Sequence, residues 1–209
     1  MQGVRSIRTG MVAVLLALLA VASVAPSAHA TDATTRTVLP GVVVGVVDGD
    51  TADVRLASGM IRIRFHAIDA PESAQPYGDA ARRALSDLVL GKQVDVEPFE
   101  QDRYDRLVAR LWVGDLDVNA AMIQSGNAWT YRRYADDPAY CAYEKTARDL
   151  RRGLWGLADA GQRAAPWEWR QRKSRGPRPF TDYAGETLAE CIATLGRARV
   201  SANGASSAP

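Results

Sequence analysis

The stretch Ile61–Glu72, which reads IRIRFHAIDAPE, constrains the fold of this chain most strongly. Its first half places Ile61, Ile63 and Phe65 on one face and Arg62, Arg64 and His66 on the other, a pattern typical of a strand with one face in the core and the other outside. Pro71 then ends the strand, because proline has no N–H to donate and restricts the residue before it. The sequence therefore predicts that Arg64, Asp69 and Glu72 lie at or just beyond the end of one strand.

Two further charged clusters lie on either side of this stretch. Asp48–Thr51 (DGDT) precedes it by one predicted strand, and Asp102–Arg106 (DRYDR) follows it. Carboxylates bind hard divalent cations, and a guanidinium can hold two phosphate oxygens at once. Two acidic clusters with two separated arginines, Arg64 and Arg106, are therefore the set that metal-assisted phosphodiester cleavage requires.

Three motifs in this region resemble those of the thermonuclease family, the staphylococcal-nuclease-like domains. They are VVDGDT (Val46–Thr51), RFHAIDAPE (Arg64–Glu72) and DRYDR (Asp102–Arg106), in the family's order and approximate spacing. The resemblance covers about Val42 to Leu157. It implies an α+β fold, namely a five-stranded OB-type β-barrel with about three packed α-helices.

The apolar pattern is compatible with that barrel, although the topology itself comes from the resemblance. Three strands are predicted within 40–65, a helix over 79–91, two strands within 94–113, and helices over 119–126 and 136–152. The last of these helices is expected to bury Tyr140, Tyr143, Ala147 and Leu150.

We interpret the DGDT turn as half of a split carboxylate site for a metal ion. Asp-Gly is also a common turn pair, and an EF-hand loop is excluded because the positions that need an acid, a glycine and a closing glutamate hold other residues. In our interpretation Asp50 binds the ion directly, Asp48 binds weakly or through water, and Asp69 is a further ligand. The resemblance adds the carbonyl oxygen of Ala70. Oxygen ligands indicate Ca²⁺ or Mg²⁺, and the resemblance favours Ca²⁺.

The resemblance also implies roles at the phosphate. Glu72 matches the glutamate that activates or positions the attacking water, and Arg64 and Arg106 match two arginines that hold the scissile phosphate. Tyrosines near the substrate are matched by Tyr104 and by one of two later tyrosines. The expected substrate-binding residues are Tyr104, Arg103, Tyr131 and Tyr134.

Plainer interpretations of these residues stay open. Glu72 follows a proline and would suit a turn or helix cap, and Arg64 would suit a solvated strand position. Arg106 would pair on the surface with Asp102 or Asp105, and the tyrosines would pack. Asp105 also departs from the family, which usually has glycine there, and the loop after Glu72 is shorter than in the best-known members and lacks their lysines.

The N-terminus is typical of a secretory signal peptide over residues 1–30. Arg5 and Arg8 are followed by an apolar core over 11–24 and by the small-residue site Ala28-His29-Ala30. This core is short for a bilayer span of about 20 residues, so cleavage is favoured over anchoring. We therefore expect a secreted or periplasmic protein with no stable membrane association after cleavage. Cleavage removes two arginines and no acid from a chain of formal charge +2, which leaves a neutral mature chain.

The predicted domain order is a polar leader over 31–39, the nuclease-like domain over 40–158, a basic extension with tryptophan and proline over 159–200, and a disordered tail over 201–209. Packing is favoured for Trp167 and Trp169, and weak attraction to a nucleic-acid backbone for the extension's arginines. A short helix is expected over 187–195. Cys141 and Cys191 are an even pair in an exported chain and are predicted to form a disulfide.

Together these features predict an exported, monomeric, Ca²⁺-dependent nuclease acting on DNA and RNA. The resemblance implies that water expels the 5′-oxygen and leaves 3′-phosphate ends. The alternative is a non-catalytic OB-type module that binds single-stranded nucleic acid. Zinc chemistry is disfavoured, because two cysteines and the one histidine left after cleavage cannot make a four-ligand zinc site.

Overall fold

The structure, a computed structural model, describes residues 37–176 and 178–196. The predictions for the signal peptide, for most of the polar leader and for the tail over 201–209 lie outside these residues. The strands are β1 (Leu39–Asp48), β2 (Thr51–Leu56), β3 (Gly59–Phe65), β4 (Ile68–Asp69), β5 (Gln93–Gln101), β6 (Leu107–Val113), β7 (Leu116–Asp117) and β8 (Trp129–Thr130). The helices are α1 (Gly78–Val89), α2 (Val118–Gln124), α3 (Pro138–Asp149), a 3₁₀ helix (Gly153–Gly156), α4 (Pro166–Arg175) and α5 (Leu188–Ile192).

Five strands close into a barrel. β1, β2 and β3 form an antiparallel meander, β1 pairs with β5 on its other edge, and β5 pairs with β6. A parallel pairing of β3 with β6 closes the barrel and places Ile63 beside Leu107. The short strands β4 and β8 form a separate sheet. The predicted α+β fold with a five-stranded OB-type barrel is confirmed.

The predicted alternation of buried and exposed side chains holds along β3 as far as Phe65, but it fails at the next residue, His66. Ile63 and Phe65 are buried in the barrel core, and Arg62 is exposed. His66 was expected on the outer face with Arg62 and Arg64, but it is buried and stacks on Phe99, with ring centroids 4.0 Å apart. The backbone turns at this point, since the next residue has a positive φ of 61°. The strand pattern therefore stops applying after Phe65.

The barrel is covered by α1, α2 and α3, the three packed helices that were expected. α1 buries Ala81, Leu85 and Val89, the i, i+4, i+8 face of a helix. α3 buries Tyr140 and Ala147 as predicted, but Leu150 is 57% exposed. The prediction for Leu150 was wrong because α3 ends at Asp149, so the helical periodicity does not extend to Leu150.

Helix α4, which begins at Pro166, was not anticipated, because no secondary structure was assigned to this part of the basic extension. Proline is favoured at the first position of a helix, where its missing N–H has no intrahelical partner to lose. Trp167 packs into a cluster with Trp129 and Tyr183, at centroid distances of 5.5 and 6.1 Å. Trp169 stacks on Phe180. The extension therefore packs against the barrel domain.

The end of the extension is fastened to α3 in two ways. Cys141 and Cys191 are joined by a disulfide with a Cα–Cα distance of 5.8 Å. Beside it, Arg148 pairs with Glu144 at 3.1 Å and with Glu186 at 2.9 Å, and Arg132 contacts the same two glutamates. Across residues 37–176 and 178–196, no helix has the length and apolar character needed to cross a membrane.

Candidate active site

The tight turn between β1 and β2 positions Asp50. A side chain on Gly49 would place its Cβ 2.6 Å from Ala70 Cβ and 2.8 Å from Ala81 Cβ, so glycine lets the turn lie directly against both. The side chain of Asp48 accepts a hydrogen bond from the Asp50 N–H at 3.0 Å. The Asp50 carboxylate in turn accepts the N–H of Ala70 at 2.6 Å. The two acidic motifs, 20 residues apart, are thereby held together.

Arg64 lies between the two predicted metal ligands. Its Nη2 is 3.2 Å from Asp50 Oδ2 and 3.0 Å from Asp69 Oδ1. Its Nη1 donates to the carbonyl oxygens of Phe65 and Ile68, at 2.7 and 2.9 Å. Arg64 is thus a largely buried clamp on two carboxylates and two carbonyls, which rules out its interpretation as a solvated strand arginine.

Burial raises the pKa of two aspartates in this cluster, Asp69 and Asp48. It raises the pKa of Asp69 to about 6, against the opposing effects of the Arg170 hydrogen bond and the Arg64 charge. It also raises the pKa of Asp48 to about 6, with the negative charge of Asp50 adding to the effect. Removing carboxylates from water is unfavourable unless a cation compensates. A bound divalent cation would supply that compensation here.

The donor set fits a hard cation. Asp50, Asp69 and the Ala70 carbonyl offer oxygen only, the ligand type that Ca²⁺ and Mg²⁺ prefer. Among the described residues, Asp48, Asp50 and Asp69 do not form a group in which one ligand atom of each lies within 4.8 Å of the others. Asp50 and Asp69 both contact Arg64 Nη2, at 3.2 and 3.0 Å, so these two acids converge on one point and would hold the predicted ion.

Elsewhere in the described part of the chain, three potential ligand atoms do lie within 4.8 Å of one another, but this cluster does not suit a metal. It consists of Glu144, Glu186 and Cys191. The Cys191 sulfur is in the disulfide with Cys141, so it is not the thiolate that a metal would need. Without it, this cluster no longer has three ligands.

Glu72 lies in the loop after Pro71, and its side chain is 38% exposed. Gln75 holds its backbone in place, because the Gln75 N–H donates to the Glu72 carbonyl at 2.8 Å and the Glu72 N–H donates to Gln75 Oε1 at 3.2 Å. The carboxylate of Glu72 faces the same cleft as Asp50 and Asp69. The structure thus places Glu72 in the same cleft as the two predicted metal ligands.

Arg106 pairs with Asp102, as its plainer interpretation proposed, with Nη2 2.7 Å from Asp102 Oδ2. Its side chain nevertheless lines the cleft. Asp105 has a positive φ of 59°, a left-handed conformation that glycine adopts freely and that aspartate tolerates. This explains how aspartate can replace the family's glycine. Asp105 is exposed and is not among the residues that line the cleft.

A single cleft of about 670 Å³ brings the predicted site residues together. Two arginines that were not predicted, Arg133 and Arg170, also line it. Tyr131 packs against Tyr134 at a centroid distance of 4.9 Å and stacks in parallel on Trp167 at 5.9 Å. The predicted residues on its walls are Asp48, Asp50, Arg64, Asp69, Ala70, Glu72, Arg103, Tyr104, Arg106, Tyr131 and Tyr134.

Arg170 is the main residue that sequence reasoning missed. The basic extension that contains Arg170 had been identified, but its arginines were expected only to attract a nucleic-acid backbone weakly. In the structure it contacts Asp69 and Glu72, each at 2.7 Å. Nothing local in the sequence indicates this contact, because Asp69 and Arg170 are 101 residues apart.

Comparison with known proteins gives consistent matches. A family model described as Staphylococcal nuclease homologue matches residues 62–156. An uncharacterized endonuclease from Escherichia coli O157:H7 is 42% identical over 134 residues, covering 64% of this chain and 86% of the relative. A micrococcal nuclease from Shigella flexneri is 41% identical over 142 residues, covering 63% and 80%. A probable staphylococcal-like nuclease from Oryza sativa subsp. japonica is 42% identical over 115 residues, covering 55% and 34%.

Proposed function

This chain belongs to the staphylococcal nuclease homologue family and is a nuclease, a phosphodiester hydrolase; from that premise we propose that it is an exported, Ca²⁺-dependent enzyme that cleaves DNA and RNA. One observation carries the proposal. The oxygen-only pair Asp50 and Asp69 shares a cleft with Glu72 and with Arg106. A binding module would need the basic and aromatic walls of this cleft, but it would not need a buried carboxylate pair.

The proposed chemistry is hydrolysis at phosphorus. Ca²⁺, when bound by Asp50, Asp69 and the Ala70 carbonyl, supplies positive charge near the phosphate oxygens. Glu72 orients a water molecule or takes its proton, and Arg106 balances charge that builds on the phosphate. Arg64 holds the two aspartates in place and adds positive charge beside them. Water attacks phosphorus, the 5′-oxygen leaves with a proton, and a 3′-phosphate end remains.

The proposed setting is outside the cytoplasm. Its support is the N-terminal pattern of two arginines, an apolar core and a small-residue site, together with the joined cysteines. We propose a monomer, because the predicted metal ligands and catalytic residues already meet in one cleft without a residue from a second copy. The walls carry tyrosines and arginines that suit a nucleic-acid strand, through stacking and phosphate contacts.

Metal removal tests the proposal. We expect the mature protein to cleave DNA and RNA in a gel assay with Ca²⁺, to stop in excess chelator, and to recover when Ca²⁺ is restored. Asp50→Asn should lose activity as chelation does. Asp53→Asn is the matched control, because Asp53 lies three residues further on, in β2, and its ion-pair partner among the described residues is the surface Arg62. Full activity in excess chelator would overturn the metal assignment, and end-group analysis of the products would test the 3′-phosphate.

A further inference from the structure

The extension after residue 158 contributes a side chain to the active site. Arg170 lies on α4, beyond the residues 62–156 that the family model matches. Its guanidinium reaches the cleft where the predicted metal ligand Asp69 and the predicted catalytic Glu72 lie. The family assignment therefore does not account for this arginine.

The guanidinium bridges the two carboxylates. Its Nη1 is 3.1 Å from Asp69 Oδ1, and its Nη2 is 2.7 Å from Asp69 Oδ2, so Asp69 is held in a two-pronged fork. The same Nη1 is 2.7 Å from Glu72 Oε1. Within the part of the chain that the structure describes, Arg170 is the only hydrogen-bond partner of the Glu72 carboxylate. The Arg170 guanidinium thus sets the position of the Glu72 carboxylate relative to the Asp69 carboxylate.

Helix α4 is held at the site from three sides. The Gln75 amide, which also accepts the Glu72 N–H, donates to the Ala164 carbonyl just before the helix. Trp167 packs against Trp129 and Tyr131. The Glu168 carboxylate accepts hydrogen bonds from the Thr181 N–H and the Tyr183 hydroxyl, each at 3.0 Å. Helix α4 is therefore tied both to the loop that carries Glu72 and to the segment after α4 that contains Thr181 and Tyr183.

We propose that Arg170 is a positioning residue for the nuclease reaction, which fixes the Glu72 carboxylate relative to Asp69. The inference rests on the proposed function and names a further residue of that site. Glu72 has a long, half-exposed side chain, which would sample several rotamers without a partner. A catalytic group must be held close to its productive geometry to be effective. Both terminal nitrogens of Arg170 are engaged by carboxylates, so its role is exerted through Glu72 and Asp69.

A kinetic double-mutant cycle tests the inference. The variants are Arg170→Ala, Glu72→Gln and the two combined, measured with Ca²⁺ on a short DNA substrate. Arg170→Ala should lower kcat by roughly 10- to 100-fold, the usual effect of removing a group that orients a ligand, while KM changes by less than about 3-fold. In the Glu72→Gln background the same change should lower kcat by less than about 3-fold, because the carboxylate that it positions has already been replaced.

Two further variants control for charge and for the helix. Arg170→Lys keeps the charge but cannot make the fork, so it should restore only part of the lost kcat. Arg172→Ala removes a neighbouring arginine on α4 that lies over Phe180, away from the cleft, and it should leave kcat unchanged. Thermal unfolding in chelator supplies a readout without turnover. Arg170→Ala should lower the melting temperature less in the Glu72→Gln background than in the wild type.

The following outcomes of the double-mutant cycle would overturn the inference. Multiplicative losses in the double variant would mean that Arg170 acts independently of Glu72, for example on the phosphate. A raised KM with unchanged kcat would mean substrate binding alone, and a raised kcat would mean an inhibitory contact. Equal kcat in Arg170→Ala and wild type would leave the extension with a structural role only. An inactive wild type would instead contradict the proposed function, and the melting cycle would still test the contact between Arg170 and Glu72.

Discussion

At the scale of single residues, the structure adds a role for Arg64. The family resemblance implies that it holds the substrate phosphate. In the structure its terminal nitrogens contact Asp50, Asp69 and two backbone carbonyls. Arg64 therefore combines a structural role, keeping the carboxylates together, with the positive charge that the site needs.

We expect Arg64→Lys to lower kcat by roughly 10²-fold, because a lysine keeps the charge but cannot span both aspartates. Unlike a purely catalytic change, it should also lower the free energy of unfolding by about 1–3 kcal/mol, since buried partners lose their donors. The measurements are steady-state kinetics and urea denaturation. Arg62→Lys is the control on the same strand: it is half-exposed and pairs with Asp53, and we expect almost no effect. Equal effects of the two variants would contradict the assigned roles.

At the scale of elements, the 3₁₀ helix that follows α3 lies very close to the turn after α2. A Cβ on Gly153 would lie within 2.3 Å of the Gly126 carbonyl oxygen, and a Cβ on Gly126 within 2.2 Å of the Arg152 carbonyl oxygen. Both glycines also have positive φ. Two backbone segments that the sequence separates therefore meet without side chains between them.

Gly153→Ala should destabilise the protein in two ways, through the positive φ of this position and through the clash of the added Cβ with the Gly126 carbonyl oxygen. The left-handed conformation costs about 1–2 kcal/mol for a residue with a Cβ, and the forced backbone shift adds roughly 1–3 kcal/mol. Gly114→Ala is the matched control, because its φ of +58° is similar and nothing lies within 4 Å of the added Cβ. Gly114→Ala should show only the cost of the left-handed conformation. Urea denaturation of the two variants measures the difference, and equal losses would mean that the close approach does not matter.

At the scale of the whole molecule, the disulfide and the ion pairs hold residues 178–196 on α3, and contacts through Glu168 connect that segment to α4. The same helix carries Arg170. The extension is therefore connected to the active site by a series of contacts, rather than lying beside the barrel as an independent tail.

We expect the exported protein to carry the disulfide between Cys141 and Cys191. Closing a loop of sequence separation 50 should contribute about 4 kcal/mol of stability in the chain-entropy model. Reduction should lower the denaturation midpoint by a corresponding amount, and the double variant Cys141→Ser, Cys191→Ser should be insensitive to reductant. Labelling of both thiols in the native protein without reductant would contradict this. Because α4 depends on the same segment, any loss of kcat on reduction should be smaller in Arg170→Ala.

Much of the barrel and most of the candidate site follow from local sequence. Strand alternation indicates the meander, and Arg64, Asp69 and Glu72 are near one another because they lie in one short stretch of chain, from the end of β3 through β4 to the loop after it. The DGDT turn is similarly local. Short-range patterns carry this information because backbone geometry fixes which neighbouring side chains share a face or an end.

Long-range contacts were decided only by the tertiary structure. Arg64 turns inward because two carboxylates, one from the turn after β1 and one from β4, converge on it. Arg170 reaches Asp69 across 101 residues because the aromatic packing of Trp167 docks α4 against the barrel. No local pattern encodes such pairings, since they depend on where separate elements pack. The sequence pattern determined the order of strands and helices and the chemical groups of the site, and the family resemblance supplied the barrel topology. Packing determined which groups hold one another.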